Sequence, residues 1–157
     1  MTLDVKTPEL EYVGTYDAKL KPPLDTGGPF GTRMIFEVID GDFEAASGDR
    51  GKLLTGGSDW LLVGPDGWGR LDVRAQVRME NGAIIYVQYY GVIEMNEAVA
   101  NAMENGTATS FDDHYFRTTP RFETSDPRYE WLQQGIFVGQ GRIIEGLGVQ
   151  YNVFQVK

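Results

Sequence analysis

Asn81-Gly82 sits between two runs of strand-like sequence, and it constrains the chain more than any other feature. Before it, Leu71, Val73, Ala75, Val77 and Met79 alternate with Asp72, Arg74, Gln76, Arg78 and Glu80. A period of two puts such residues on opposite faces of a β-strand. Asn-Gly suits a type I′ turn, whose two central residues need φ > 0. Trp68 to Met95 is therefore expected to form a hairpin. A two-residue loop pairs Glu80 with Ala83, and then Arg74 faces Tyr89, Asp72 faces Gly91 and Gln76 faces Val87. Opposed residues share a face. This register predicts one face with Asp72, Arg74, Gln76, Val87 and Tyr89, and another with Leu71, Val73, Ala75, Tyr86, Tyr90 and Val92. Faces of mixed character suit a barrel wall around a partly polar interior.

The rest of the chain is read on the same terms. Leu10 to Leu20 forms a strand with Tyr12, Gly14, Tyr16 and Ala18 on one face, ended by Pro22-Pro23. Asp25 to Gly31 reads as a glycine-rich loop. It lacks the GK[ST] sequence and the following helix that a phosphate cradle needs. Arg33 to Ile39 is a strand, with a turn at Asp40-Gly41 and a further strand over Asp42 to Ala46. Asp59 to Val63 is the next, followed by a turn at Pro65-Asp66-Gly67. After Met95 the period changes. Asn96 suits an N-cap and Gly106 a C′ position, and Ala98, Val99, Ala102 and Met103 form a stripe, so Glu97 to Asn105 is a short helix. This helix is expected to plug one barrel end or to lie against the outside. Tyr115 to Thr124 is strand-like, with Pro120 marking an edge or bulge. Asp126-Pro127 starts one or two helical turns. Ile136 to Ile144 and Val149 to Val156 close the chain as strands.

The expected fold is all-β: residues 1–157 form a single antiparallel barrel of about 8–10 strands, with one or two short helices. At 157 residues the chain can bury a core without staples. Twenty glycines agree with many tight turns. There is no cysteine, which excludes disulfides, a thiolate nucleophile and cysteine-based metal sites. The net charge of −9 opposes binding to phosphate backbones, so no nucleic-acid partner is expected. No apolar run approaches the ~20 residues of a membrane helix, and no leader is visible at the start. The chain is expected to be soluble and cytoplasmic, without a membrane partner. Open hairpin edges and aromatic residues are compatible with a homodimer.

Four groups of residues could carry chemistry. Asp59 and Trp60 follow Gly56-Gly57-Ser58 at a strand start, a placement that suits a barrel mouth. An apolar setting would raise the Asp59 pKa and equip it as an acid or base; otherwise it satisfies turn amides while Trp60 packs. Asp72 and Arg74 share a strand face with Tyr89 in the register above. An inward Arg74 would hold a carboxylate or an enolate-like oxygen, and an outward face would simply be solvated. Arg117, Thr119, Arg121 and Glu123 alternate with Phe116, Thr118 and Phe122, so either face could line a pocket or form a charged edge. Tyr129 and Trp131, with Leu132, would pack the core or roof a pocket. His114 is the only histidine and makes no zinc site alone, so no metal is expected. There is no GxSxG elbow and no GxGxxG opening a helix after a strand.

Taken together, several segments are similar to a known family. These are GGSDW at Gly56–Trp60, LDVR at Leu71–Arg74, NGAIIYV at Asn81–Val87, YFRTTPRFET at Tyr115–Thr124, and Pro127-Arg128-Tyr129 with Trp131-Leu132. They resemble small bacterial and fungal β-barrel proteins catalogued as a domain of unknown function, with a lipocalin- or calycin-like barrel. The segments span most of the chain and are specific together rather than singly. Asn81 departs from the Asp common there, a change the turn tolerates. The resemblance implies one barrel with Asp59-Trp60, Asp72/Arg74 and Arg117 to Glu123 around its cavity. It implies no settled activity.

The functional expectation is a cofactor-free protein that binds a small organic ligand, aromatic or oxo-acid-like, in the barrel. As an enzyme it would transfer protons in an isomerisation, hydration, dehydration or cyclisation. Asp59 would be the acid/base, Arg74 and Arg117 would hold an anionic group, and Tyr89 would donate a hydrogen bond. Trp60 and Phe122 would stack on the ligand, with Asp72, Glu123, Tyr129 and Trp131 lining the site. The alternatives are a lipocalin-like carrier or sensor without turnover, or a structural oligomer with a filled barrel.

Overall fold

The computed structural model describes residues 2–157. Ten antiparallel strands form one sheet: β1 (Leu10–Leu20), β2 (Leu24–Gly27), β3 (Thr32–Ala45), β4 (Arg50–Leu53), β5 (Ser58–Val63), β6 (Trp68–Met79), β7 (Ile84–Glu94), β8 (Phe116–Glu123), β9 (Ile136–Ile144) and β10 (Gly148–Val156). The pairing runs β1-β10-β9-β8-β7-β6, then through β4 and β5 to β3, and β3 returns to β1. The ring is closed. Because β4 and β5 both lie between β3 and β6, at different heights, the barrel has eight staves. Closure leaves few free backbone edges. The short β2 pairs with β3 at Arg33–Ile35, on the edge opposite β5, and overlaps the stretch that reads as loop from sequence.

The hairpin exists, but its register differs by one residue from the expected one. Arg74 pairs with Gln88, Val73 with Tyr89 and Asp72 with Tyr90. The loop has three residues, Glu80, Asn81 and Gly82. The Met79 N–H donates to the Ala83 carbonyl at 2.9 Å and the Gly82 N–H donates to the Met79 carbonyl at 2.9 Å. Only Gly82 has positive φ (91°); Asn81 does not, which excludes a type I′ turn. The Asn81 side chain is engaged elsewhere. Its Oδ1 accepts from the Ala83 N–H at 3.2 Å and its amide donates to the Tyr129 hydroxyl. A one-residue slip turns every β7 side chain to the other face. Ile85, Val87 and Tyr89 therefore point inward with Val73, Ala75 and Val77, giving an apolar inner wall. The polar Asp72, Arg74 and Gln76 share the outer face with Tyr86, Gln88 and Tyr90.

A second difference lies at Asp40-Gly41, where the chain does not turn. Strand β3 runs on through it, and Gly41 serves a close strand contact instead. A Cβ there would sit 2.1 Å from the Asp17 carbonyl oxygen of β1.

Both barrel ends are covered. Helix α1 (Glu97–Asn105) is capped by Asn96, whose side chain accepts from the Val99 N–H, and ends at Gly106 in the left-handed region. Its Val99 and Ala102 are fully buried in the core, so α1 closes one end. The 3₁₀ helix Pro127–Gln133 covers part of the other end, with Tyr129 and Leu132 inward. It lies where β8 and β9 separate. Their pairing holds only at Arg117–Gln140 and Thr118–Gly139, and it stops short of Pro120, which has no N–H to offer. Aromatic rings fill the gap: Phe122 meets Phe137 edge-on at 5.2 Å, and Trp131 lies 6.0 Å from Phe137.

Candidate functional site in the barrel interior

Inward side chains leave a cavity of about 410 Å³ between the 3₁₀ helix and the middle of the barrel. This volume falls within the roughly 300–1,000 Å³ of sites for small organic molecules. Most of the lining is aliphatic, from Val38, Leu53, Val73, Val77, Val87 and Val153 among others. Ser47 and Asp49 of the β3–β4 turn face the mouth with Arg128 and Trp131. The charge of Arg128 is engaged by Asp126, with Nε to Oδ1 at 2.9 Å and Nη2 to Oδ2 at 2.6 Å.

Polar groups are few at the floor. Asp59 on β5 points inward, level with Phe36 of β3 and Val73 of β6. It also borders a void of about 50 Å³ on the α1 side, lined by Leu61, Ile93, Met103 and Phe116. The strand is modified locally to hold this carboxylate. The β5–β6 pairing is interrupted between Asp59–Val73 and Leu62–Arg70. In the interruption the Asp72 N–H donates to Asp59 Oδ1 at 3.1 Å instead of joining the ladder. The carbonyl of Trp60 in turn accepts from Arg33 Nη1, a β3 side chain, at 2.7 Å. Burial pushes the Asp59 carboxyl up to about 7. The Asp72 amide and Arg33 pull it down, and the Asp72 charge pushes it further up.

Three tyrosines stand beside it. Tyr16 (β1), Tyr89 (β7) and Tyr151 (β10) are buried, with ring centroids 5.0, 5.5 and 6.3 Å apart. Burial, then mutual repulsion, raises all three phenols well above their ordinary values, and the Asp59 charge adds to this at Tyr89 and Tyr151. They are neutral O–H groups. The three rings form one cluster, and within it the Tyr16 hydroxyl has no partner at hydrogen-bond geometry.

Of the residues singled out from sequence, Asp59, Tyr89, Phe122, Tyr129 and Trp131 line this cavity. Trp60, Asp72, Arg74, Arg117 and Glu123 do not. Trp60 alternates outward from Asp59, and the hairpin register puts Asp72 and Arg74 on the outer wall, where Asp72 reaches Asp59 only through its backbone. Arg117 lies over the Tyr115 ring, 4.9 Å from its centroid, and Glu123 is exposed beside Tyr86. No local signal marks Tyr16, Tyr151 or Arg33 as a site residue. The alternation of Tyr16 with its strand neighbours was readable, but its meeting with Tyr89 and Tyr151 depends on barrel closure. His114 lies apart, with Nε2 2.7 Å from Thr109 Oγ1. No cluster suited to a metal occurs among the described residues, and no helix is long and apolar enough to cross a membrane.

Fold and interior together define a closed antiparallel β-barrel with one carboxylate and three phenols at the base of an apolar cavity. The chain belongs to the family described as "Protein of unknown function (DUF3237)", whose model matches residues 8–156. UPF0311 protein RPA1785 of Rhodopseudomonas palustris is 32% identical over 137 residues, covering 85% of this chain and 88% of that protein. Its crystal structure superposes with a TM-score of 0.86 over 98% of this chain and all of that one. PR-toxin biosynthesis cluster protein 7 of Penicillium roqueforti is 29% identical over 126 residues, 76% of this chain and 67% of that one. A structure described as an enzyme from Penicillium herquei shares the fold, with a TM-score of 0.73 at 15% identity and full coverage of both chains.

Proposed function

We propose that this protein binds a small, largely apolar organic molecule in the barrel and transfers a proton on it with Asp59. One observation carries the reading: the one carboxylate at the base of the cavity, among aliphatic and phenolic side chains, is held by a diverted backbone N–H, and burial raises it to about 7. A general acid/base works best with a pKa near the operating pH. The lining offers no cation at depth, so the preferred ligand is neutral rather than an oxo acid. Arg74 and Arg117 take no part in this reading. The Penicillium roqueforti relative, named for a toxin biosynthesis cluster, fits an organic small molecule as the ligand class.

The test combines binding with exchange. Cyclic ketones and phenols are screened by thermal shift, and stabilising ketones are incubated with the protein in D₂O. We expect deuterium uptake at carbons next to the carbonyl, lost in Asp59→Asn while the thermal shift remains. Binding without any exchange would instead support a carrier, and an absence of binding across the panel would sink both readings.

A further inference from the structure

Asp59 alone can take a proton but cannot stabilise the charge that its removal creates. That requires donors placed where negative charge develops, in a site that excludes water. The floor supplies three. Tyr16 and Tyr151 are directly paired across β1 and β10, and Tyr89 reaches them from β7 on another side of the barrel. The cluster is rigidly supported. Phe116 packs edge-on against Tyr151 at 5.2 Å. Gly141 makes room for both, since a Cβ there would come within 2.8 Å of each ring. A buried hydroxyl without a partner is costly, at about 1–3 kcal/mol. Tyr16 nevertheless carries one, beside a cavity large enough for a ligand.

We propose that Tyr16, Tyr89 and Tyr151 form a site for one ligand oxygen, that of a ketone, enol or phenol, and hold it as an oxyanion. The inference rests on the proton-transfer reading of Asp59 and names its substrate class: compounds with an acidic C–H next to a carbonyl. The Asp59 carboxylate takes the proton from that carbon. The C–H electron pair becomes the C=C of an enolate, and the carbonyl π pair moves to oxygen, where the phenol O–H groups receive it. Asp59, now protonated, returns the proton to the same or a conjugated carbon and regenerates the carboxylate. The net change is isomerisation, with no co-reactant. Steroid-ketone isomerisation uses the same division of labour, an Asp base with an oxyanion hole of neutral donors, there one tyrosine and one protonated acid.

The experiment uses substituted phenols of graded acidity as oxyanion probes. They are added to the Asp59→Asn variant, whose amide mimics the protonated acid and removes its repulsion of a phenolate. Affinity is read by calorimetry and ionisation of the bound phenol by ultraviolet absorbance. We expect affinity to rise with phenol acidity and the bound probe to ionise below its solution pKa. Adding Tyr16→Phe should weaken the most acidic probe about tenfold and reduce the ionised fraction. Tyr89→Phe serves the same purpose where Tyr16→Phe fails to fold. Affinity independent of acidity, or unchanged by both substitutions, overturns the oxyanion site. That failure leaves Asp59 chemistry standing, because ketone exchange by the wild type reads it separately.

Discussion

Asp59 is the residue where the fold's energetics and its proposed chemistry meet. Its carboxyl is raised from 3.8 to about 7, chiefly because burial disfavours the charge. The folded state therefore binds a proton that the unfolded chain has released, across the interval from about pH 4 to 7. The contribution of Asp59 to stability therefore falls as pH rises through that window. The full shift corresponds to a loss on the order of 4 kcal/mol at 1.36 kcal/mol per unit. The Asn of Asp59→Asn does not titrate. Urea unfolding of both proteins from pH 4 to 8 should show the variant gaining on the wild type by a few kcal/mol. Comparing the two cancels His114, whose lowered proton affinity acts in the opposite sense below its ordinary value. A constant difference across the window would mean that Asp59 titrates as an exposed carboxyl.

At the scale of elements, the break in the β5–β6 ladder explains how a strand can present a backbone donor to its own side chain. A carbonyl left open in a sheet needs a partner, and Arg33 supplies one to Trp60 from β3. That leaves the Asp72 N–H free for Asp59. Removing the guanidinium should let Trp60 recapture the Asp72 amide. In the wild type, the Asp72 amide proton resonance should follow the titration of Asp59. In Arg33→Met it should cease to do so, and the Asp59 midpoint should rise by roughly one unit. Arg33→Gln, which keeps a donor without charge, should restore part of the coupling. Identical amide titration in all three proteins would remove Arg33 from this role. The hairpin carries a related lesson. Its strands and turn position were legible because alternation and Asn-Gly are local signals. Its register was not, because Asn81 bonds Tyr129 from a distant helix and the apolar faces of β6 and β7 must both reach the core.

At the scale of the molecule, closure of the ring turns inward residues into a cavity with an apolar wall, a capped base and a partly covered mouth. If that cavity is the binding site, filling it should abolish binding without unfolding the barrel. Ala75 lies in its wall, buried on β6. Ala75→Phe should weaken an apolar fluorescent probe such as N-phenyl-1-naphthylamine at least tenfold and leave a cooperative melt, at a cost of about 1–3 kcal/mol for overpacking. Unchanged probe affinity would place binding outside the barrel.

Much of this protein is determined locally. The alternation in β1, β6 and β7, the Asn96 and Gly106 caps of α1 and the Asp126-Pro127 start of the 3₁₀ helix follow from neighbours a few residues apart, so the all-β class and most elements could be read from the chain. Asp59 could be nominated too, as an acid at a strand start after a glycine turn. Tertiary structure decided which faces turn inward, and so moved Trp60, Asp72, Arg74, Arg117 and Glu123 to the outer wall. It also decided that Tyr16, Tyr89 and Tyr151, from three separate strands, meet beside Asp59. Those outcomes depend on register and ring closure. Register and closure are set by the burial of apolar surface over the whole barrel, and no local stretch of sequence encodes that sum.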